Sequence, residues 1–476
     1  MASYEGASWR NSMRVRFDFS NLLAGVVGDE NGVSEQALRG LTGQAAAAAK
    51  WLQQLRAGGK AEWLDLPYQR EITERVVAAG EAIAQRCDTF VVLGIGGSAL
   101  GAIALQIALH HPFYNQLGPE QRGHRPRIYV LDNVDPDFVA GALDLLDLKH
   151  TVFNVVTKSG STSETMAQLA IVRERLQSAV GSVAAEQIVA TTDPSQGDLR
   201  TLAEREGYRI FDIPPTVGGR FSVLSPVGLL PAAVSGVDVN ALLAGAAEAD
   251  RYCRDDDLFD NPALLSAASL YLLDQQGKRI TVMMPYSQRL CGVADWFRQL
   301  WAESLGKIKM VDGTVRHIGL TPVTALGVTD QHSQVQLYMD GPSDKVIIFL
   351  GVDRFDRTLK IPSTKLGLAS LDYLGGHSLN ELINAERLAT TVALTANGRP
   401  NYTILLPEVN AFTVGQVLYT LEVQTALIGK LLGIDPFNQP GVEAGKAATY
   451  ALMGRKGYEA EAKRIAKQMG GNRWIL

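Results

Sequence analysis

Short apolar runs alternate with longer helix-like segments along most of the chain. The runs of strand length fall at residues 89–93, 128–131, 152–156, 188–191 and 209–213, and again at 279–284, 346–350 and 402–406. Stretches of helical length and spacing, such as 45–55, 99–109 and 162–176, lie before and between them. Because short buried strands joined by helices pair in parallel and carry helices on both faces, this alternation predicts an α/β fold with doubly wound parallel sheets.

The alternation stops after residue 237 and restarts at residue 279, which divides the chain into two α/β units. The intervening segment is helix-rich and ends in a polar Asp-Gln-Gln-Gly turn. We therefore predict a helical N-terminal arm, two doubly wound α/β domains joined by a helical linker, and a helical C-terminal tail. The predicted boundaries are 1–60, 61–240, 241–276, 277–435 and 436–476.

Charge and cysteine content narrow the class of protein. The 476 residues include 45 Lys and Arg against 50 Asp and Glu, a formal net charge of −5. Nucleic-acid binding is not expected, because such proteins need a basic surface to displace counterions from phosphates. Cys87, Cys253 and Cys291 are odd in number and far apart, so neither a disulfide framework nor a CxxC metal site is predicted. This pattern indicates a reducing, cytoplasmic location.

Two uncharged stretches, 90–109 and 221–237, approach the length of a membrane span. Glycines interrupt the first and two prolines interrupt the second, which favours a strand, a turn and a buried helix over a spanning helix. Residues 1–16 are polar and lack the apolar core of a signal peptide. We therefore expect a soluble protein with no membrane partner.

Two loops follow predicted strands, where helix N-termini in parallel sheets present free amides to anions. The first, Gly94-Ile95-Gly96-Gly97-Ser98, allows close backbone approach and adds the Ser98 hydroxyl. The loop also matches the relaxed dinucleotide-binding fingerprint, through Gly94, Gly96 and Ala99. That fingerprint requires an acidic residue about 20 positions later, but the candidate, Asp132, lies farther along the chain than this. A tight turn that needs glycine only for steric reasons is the alternative interpretation.

The second loop, at 157–165, reads TKSGSTSET and crowds hydroxyl groups around one lysine and one glycine. Phosphate oxygens accept several short hydrogen bonds, and hydroxyls supply them without a fixed counter-charge. The alternative is a capping box from Ser161 to Glu164, which leaves Thr157, Ser159 and Thr162 unexplained. The loop lacks the Walker spacing, so hydrolysis of nucleoside triphosphates is not predicted.

Three further residues are candidates for chemistry. Arg220 follows Gly218-Gly219, and glycines without side chains allow a guanidinium to reach a site and stabilise a developing oxyanion there. The alternative interpretation is a solvated arginine in a surface turn. Gln299 and Glu303 lie four residues apart on a predicted helix, beside its aromatic face, so the carboxylate is a candidate base. The histidines show no metal-ligand spacing, and His332 is a candidate acid or base or a structural residue at a helix start.

Taken together, these motifs and their order resemble the phosphoglucose isomerase family. The matching segments are GIGGS at 94–98, KSGSTSET at 158–165, VGGRFSVLSPVG at 217–228, ESLGK at 303–307, the later His332, and FNQPGVEAGK at 437–446. The resemblance covers residues from about 90 to 446. It implies two sugar-isomerase-type α/β domains with a helical tail, in agreement with the alternation of strands and helices.

The resemblance also implies a role for each matching residue. Glu303 resembles the base that moves a proton between C2 and C1, and Arg220 resembles the residue that stabilises the cis-enediolate. His332 and Lys446 resemble the groups that assist ring opening, the histidine being supplied by the neighbouring subunit. The positions similar to the family's substrate-binding residues are Gly97, Ser98, Thr157, Lys158, Ser159, Thr162, Gly219, Gln299 and Gln439. Two departures are Pro440 in place of the usual tryptophan and Thr157 in place of serine.

The resemblance implies reversible isomerisation of glucose 6-phosphate and fructose 6-phosphate by a homodimer with a shared active site, in cytoplasmic carbohydrate metabolism, glycolysis and gluconeogenesis. The reaction moves one proton without net redox change, so no cofactor and no metal ion are expected. The alternatives are a broader isomerase that also accepts mannose 6-phosphate, a catalytically silent sugar-phosphate sensor, a nicotinamide-dependent oxidoreductase and a metal-dependent isomerase.

Overall fold

The computed structural model describes residues 12–363 and 368–470 of the chain. Residues 1–11 lie outside the described residues. They make up most of the N-terminal segment, 1–16, in which the sequence predicts no signal peptide. Residues 471–476 of the predicted C-terminal tail also lie outside them. Within the described ranges, no helix is both long enough and apolar enough to cross a membrane.

The strands are numbered in chain order. Their bounds are β1 Arg16–Asp18, β2 Thr89–Leu93, β3 Arg127–Leu131, β4 Thr151–Thr157, β5 Ile188–Thr192, β6 Arg209–Asp212, β7 Ile280–Pro285, β8 Lys307–Lys309, β9 Val315–Ile318, β10 Thr321–Thr324, β11 Lys345–Val352 and β12 Asn401–Leu406. All eight predicted apolar runs form strands. The strands that the pattern missed are β1, β8, β9 and β10, which are three or four residues long and largely polar or half-exposed.

The α-helices fill the intervals between the strands. Their bounds are Ala24–Val27, Glu35–Ala57, Arg70–Ala84, Leu100–Leu109, Pro136–Asp144, Ser163–Val180, Asp198–Glu206, Pro226–Val234, Val239–Cys253, Pro262–Gln275, Cys291–Leu305, Val335–Asp340, Leu379–Ala396, Ala411–Leu431, Glu443–Leu452 and Glu459–Met469. The helix predicted at 45–55 is the second half of Glu35–Ala57, and it ends at Gly58 as its glycine pair indicates.

Ten of the twelve described strands form two five-stranded sheets, which confirms the predicted α/β class, and β8 and β9 pair antiparallel as a separate two-stranded sheet. The first has the order β3-β2-β4-β5-β6 with every pair parallel. The second has the order β1-β12-β11-β7-β10, parallel except for β1, which pairs antiparallel with β12 at one edge. The predicted helical arm therefore also contributes one edge strand to the second sheet.

A buried helix, Ala411–Leu431, forms the centre of the helical layer. Nearly all of its residues are buried, and it packs against the helices Val239–Cys253, Pro262–Gln275 and Glu35–Ala57. A helix that is buried around its whole circumference is enclosed by other elements on all sides. The segment predicted as a linker therefore packs as part of the core.

The strand order fixes where a ligand can bind in the first sheet. From one edge of this sheet to the other, its strands are the second, first, third, fourth and fifth of the sheet in chain order. The direction of the strand order therefore reverses between β2 and β4. Open parallel sheets bind ligands outside the carboxyl ends of the strands at such a reversal. The two loops singled out from the sequence follow β2 and β4, and they therefore lie side by side at this edge.

Candidate active site

Three hydroxyl groups meet in the loop that follows β4. The Oγ1 atoms of Thr157 and Thr162 lie 2.8 Å apart, and the Oγ of Ser159 lies 3.4 Å from Thr157 Oγ1 and 3.3 Å from Thr162 Oγ1. We call these residues the hydroxyl cluster. Gly160 has φ +68° and packs against the backbone of Gly197, so this turn requires glycine.

The hydroxyl cluster lies at the start of the helix Ser163–Val180. The N-cap residue is Thr162, whose side chain makes no capping hydrogen bond to the described residues, so the capping box from Ser161 to Glu164 is not formed. The amides of the first turn of a helix have no partner within it and attract anions. The hydroxyls and these amides together make a site suited to a phosphate group.

Lys158 points away from the hydroxyl cluster. Its Nζ donates to the carbonyl oxygens of Pro215 and Val217 at 2.5 and 2.9 Å, and burial lowers its pKa below the usual lysine value. The side chain therefore fastens the loop after β4 to the segment that leads into Gly218-Gly219. Its charge still lies next to the loop, but its hydrogen bonds are made to the protein.

Gly97 brings the loop after β2 against the turn that carries Arg220. A Cβ on Gly97 would lie 2.3 Å from the carbonyl carbon of Gly219 and 2.7 Å from the amide nitrogen of Arg220. The Ser222 hydroxyl, which lies 3.2 Å from the Gly97 carbonyl oxygen and 2.7 Å from that of Gly219, joins the same two segments. The half-buried Ser98 lies in the same one-turn helix as Gly97.

We expect Gly97→Ala to destabilise the protein, because the new methyl group would have to displace backbone rather than a side chain. Overpacking of this kind costs about 1–3 kcal/mol. Gly218→Ala is the matched control, since a Cβ there would meet no atom of the described residues within 4 Å and φ is −69°. Thermal denaturation should show a lower Tm for the first variant only, and equal Tm values would contradict the proposed close approach.

Arg220 is the most enclosed charged side chain of the site, with 1% of its side chain exposed. Its Nε donates to Ser304 Oγ at 2.7 Å and its Nη1 donates to Gln439 Oε1 at 2.9 Å. Its Nη2 donates to the carbonyl oxygens of Pro436 and Asn438 at 2.5 and 3.1 Å. Burial lowers the pKa of the guanidinium, but an arginine remains charged. The alternative of a solvated surface arginine is therefore wrong.

Glu303 faces Arg220 from the helix Cys291–Leu305. Its Oε2 lies 3.4 Å from Arg220 Nη1, and its Oε1 accepts a hydrogen bond from Gln299 Nε2 at 2.9 Å. The side chain is 32% exposed, so one part of the carboxylate is held while another part can be reached from solvent. Gln299 is the predicted neighbour one turn away, and its Nε2 lies so close to Gly96 that a Cβ there would be 2.8 Å from it.

Two residues near Glu303 were missed from the sequence. Ser304 is fully buried and accepts from Arg220, and Lys307 Nζ donates to the Glu303 carbonyl oxygen. Burial and the nearby Arg220 lower the pKa of Lys307 to about 8. Both lie in the ESLGK segment, and Lys307 follows Glu303 by four residues, the helical spacing that could have indicated the contact.

His332 and Lys446 do not reach this arrangement within the chain. His332 is exposed at the end of the turn Thr329–Gln331, and Lys446 Nζ lies 2.8 Å from Glu443 Oε1 on an exposed tail helix. In the part of the chain that the structure describes, neither side chain forms a hydrogen bond or ion pair with Arg220 or Glu303. The described residues also contain no group of three His, Cys, Asp or Glu side chains that could hold a metal ion.

Comparison with known proteins identifies the family of the chain. The model of the phosphoglucose isomerase family matches residues 66–463. A glucose-6-phosphate isomerase of Carboxydothermus hydrogenoformans is 47% identical over 98% of this chain and all of that protein. A hypothetical protein from Thermus thermophilus has a TM-score of 0.83 and 39% identity, covering 93% of this chain and all of that one.

The fold of the chain is also similar to that of a second solved structure. A glucose-6-phosphate isomerase of Chlamydia trachomatis has a TM-score of 0.72 and 25% identity, covering 89% of this chain and 81% of that one. The motifs quoted from the sequence lie inside the matched range, and the structure brings Arg220, Glu303, Gln299 and Gln439 together. The chain is an enzyme of the isomerase class and belongs to the phosphoglucose isomerase family.

Proposed function

We propose that the enzyme interconverts glucose 6-phosphate and fructose 6-phosphate through a cis-enediolate. The observation that carries this proposal is the pairing of Glu303 with Arg220, which lies on a segment that Lys158 fastens to a loop suited to phosphate. A role in glycolysis and gluconeogenesis follows from the family, and we propose a cytoplasmic location.

The proposed proton transfer uses a carboxylate and a guanidinium together. The proton on C2 of the open-chain aldose is weakly acidic, so a carboxylate removes it only if the negative charge that develops is stabilised at the same time. Glu303 takes the proton from C2 and returns it to C1, while Arg220 stabilises the enediolate oxygens. Gln299 orients the carboxylate, and Gln439 holds the guanidinium beside it.

Ring opening needs a second acid and base, which we assign to His332 and Lys446. A proton must leave the C1 hydroxyl and another must reach the ring oxygen, and a neutral imidazole and an ammonium can perform these steps. Because His332 is exposed on its own chain, it is available to the site of a second copy. We therefore propose a homodimer in which each active site receives its histidine from the partner.

An exposed apolar surface near His332 fits a second copy of the chain. On the helix Leu379–Ala396, Leu388 is 57% exposed and Val392 is 59% exposed. On the helix that follows His332, Leu337 is 54% exposed. The two helices pack against the same core cluster, since it contains both Tyr338 and Leu394. Burying such surface against another protomer is favourable, and it would present His332 to that protomer.

We expect mixed dimers of Glu303→Gln and His332→Ala to recover activity that neither variant has alone. In the mixed dimer, one site combines the intact glutamate of one subunit with the intact histidine of the other. Random mixing of the two variants should restore about a quarter of the wild-type sites. Recovery is measured after joint refolding, and a mixture as inactive as its parents would place both residues in one chain.

The overall proposal is tested by one coupled assay. Purified enzyme should convert fructose 6-phosphate to glucose 6-phosphate without added cofactor and in the presence of a chelator. Absence of turnover would favour a sugar-phosphate sensor, loss in chelator a metal-dependent isomerase, and dependence on an added nicotinamide an oxidoreductase. Activity on mannose 6-phosphate would identify the broader isomerase.

The hydroxyl cluster should set the affinity for the phosphate end of the substrate. We expect Thr162→Val to raise the KM for fructose 6-phosphate about 10- to 100-fold, because a hydrogen bond to a charged group contributes about 1.5–3 kcal/mol. The inhibition constant of inorganic phosphate should rise in parallel while kcat changes little. Ser178→Ala, which removes an exposed hydroxyl near the end of the same helix, is the control. An unchanged KM would remove the cluster from the substrate site.

A further inference from the structure

The second sheet repeats the strand order of the first. Its parallel strands lie side by side in the order β10, β7, β11 and β12. Counted along the chain, these are the second, first, third and fourth parallel strands of the sheet. The reversal lies between β7 and β11, as it lies between β2 and β4 in the first sheet. Ligands of open parallel sheets bind outside the carboxyl ends of the strands at this reversal. In the first sheet that position holds the hydroxyl cluster.

A cavity of about 460 Å³ occupies the corresponding position in the second sheet. Ser287 enters it from just beyond β7, and residues 354–357 enter it from just beyond β11. Residues 109–113, at the end of a helix of the first unit, form the opposite wall. We call it the second-sheet cavity. None of the candidate active-site residues lines it, so it is separate from the isomerase site.

Hydrogen-bond donors are available on this cavity. Ser287 is buried, and its hydroxyl makes no hydrogen bond among the residues that the structure describes. His111 accepts the Phe113 amide on Nδ1 at 3.1 Å, so the neutral ring carries its hydrogen on Nε2 as a donor. Such donors suit the oxygens of an anion.

The charges around the cavity leave one cation in excess. Arg289 is bonded to Asp356 and to backbone carbonyls, and Arg354 is bonded to Glu408. Arg357 is exposed, and its guanidinium has no ion pair or hydrogen bond within the described ranges 12–363 and 368–470. The guanidinium is therefore free to form a bidentate contact with a phosphate.

The same cavity has an aromatic wall. The Phe113 side chain is 66% exposed, although its ring is large and apolar, and the half-buried Phe355 lines the same cavity. A cavity lined by both an exposed ring and a free cation favours a ligand that has a planar apolar part as well as a negative charge. Inorganic phosphate alone would leave this wall unused.

We propose that the second-sheet cavity binds a nucleoside monophosphate. Arg357, Ser287 and the Nε2 of His111 contact the phosphate group, and the base stacks on Phe113. This site is additional to the isomerisation site and does not depend on the reaction assigned to that site.

Isothermal titration of the full-length enzyme with AMP tests the proposal. We expect saturable binding with a Kd below about 1 mM, and binding at least about tenfold weaker for inorganic phosphate and for adenosine. Arg357→Ala and Phe113→Ala should each weaken AMP binding about tenfold or more, because both side chains are exposed contacts. Their kcat and KM for fructose 6-phosphate should match the wild type.

Thr162→Val separates this site from the catalytic phosphate site. If AMP occupies the second-sheet cavity, this variant binds AMP as the wild type does. The proposal is overturned if AMP gives no saturable heat, if Arg357→Ala and Phe113→Ala both retain wild-type affinity, or if Thr162→Val abolishes binding.

Discussion

Glu303→Gln is expected to lower kcat by about 10²- to 10⁴-fold, the usual contribution of a positioned acid or base. The amide keeps the shape of the carboxylate but cannot take a proton from carbon. The Oε1 of Gln299 is buried and has no hydrogen-bond partner among the described residues, so rotation of that side chain can supply an acceptor for the new amide. The fold should therefore remain intact, and the KM for fructose 6-phosphate should change little.

Steady-state kinetics and thermal denaturation together check this result. Asp295→Asn is the matched control, because Asp295 is a carboxylate on the same helix that lies 3.4 Å from Arg298 and outside the site. It should retain wild-type kcat. A Glu303→Gln enzyme that keeps more than about a tenth of wild-type kcat would exclude Glu303 as the proton-transferring base.

The strands that could be predicted from the sequence are those whose own residues are apolar enough to indicate that they are buried. β4 and β11 are buried at every position and consist mainly of apolar residues, although Asn154 interrupts the apolar run of β4. β10 reads Thr-Pro-Val-Thr and is half-exposed at the edge of the second sheet. It forms a strand because it pairs with the free edge of β7. The residues of β10 alone do not indicate this pairing, because it depends on the tertiary fold.

The site shows the same division between local and long-range information. Gln299 and Glu303 share a helix, so their spacing predicts their contact. Arg220, in contrast, is surrounded by groups from more than 80 residues away, and nothing near it in the chain indicates the carbonyls of Pro436 and Asn438. Lys158 lies in the predicted phosphate loop, but its ammonium donates to carbonyls whose position only the tertiary fold decides.

The environment of Arg220 predicts the second large effect, which is a loss of both activity and stability in Arg220→Lys. One planar guanidinium bonds the active-site helix through Ser304 and the C-terminal segment through Pro436 and Asn438. A lysine ammonium is compact and cannot span both sides. Each buried acceptor left without a donor costs about 1–3 kcal/mol, so Tm should fall clearly.

The catalytic part of this loss can be measured apart from the stability part. Assays below the lowered Tm, on protein shown to be folded by circular dichroism, should give a kcat about 10²- to 10³-fold lower, since removing one oxyanion donor has this effect in other enzymes. A stable anionic analogue of the enediolate should lose more affinity than fructose 6-phosphate, because Arg220 acts on charge that develops during the reaction. Arg200→Lys, which alters an arginine bonded to Glu204 and Asp212 away from the site, should leave both affinities unchanged. Equal losses for analogue and substrate in Arg220→Lys would reduce Arg220 to a structural link between the helix and the C-terminal segment.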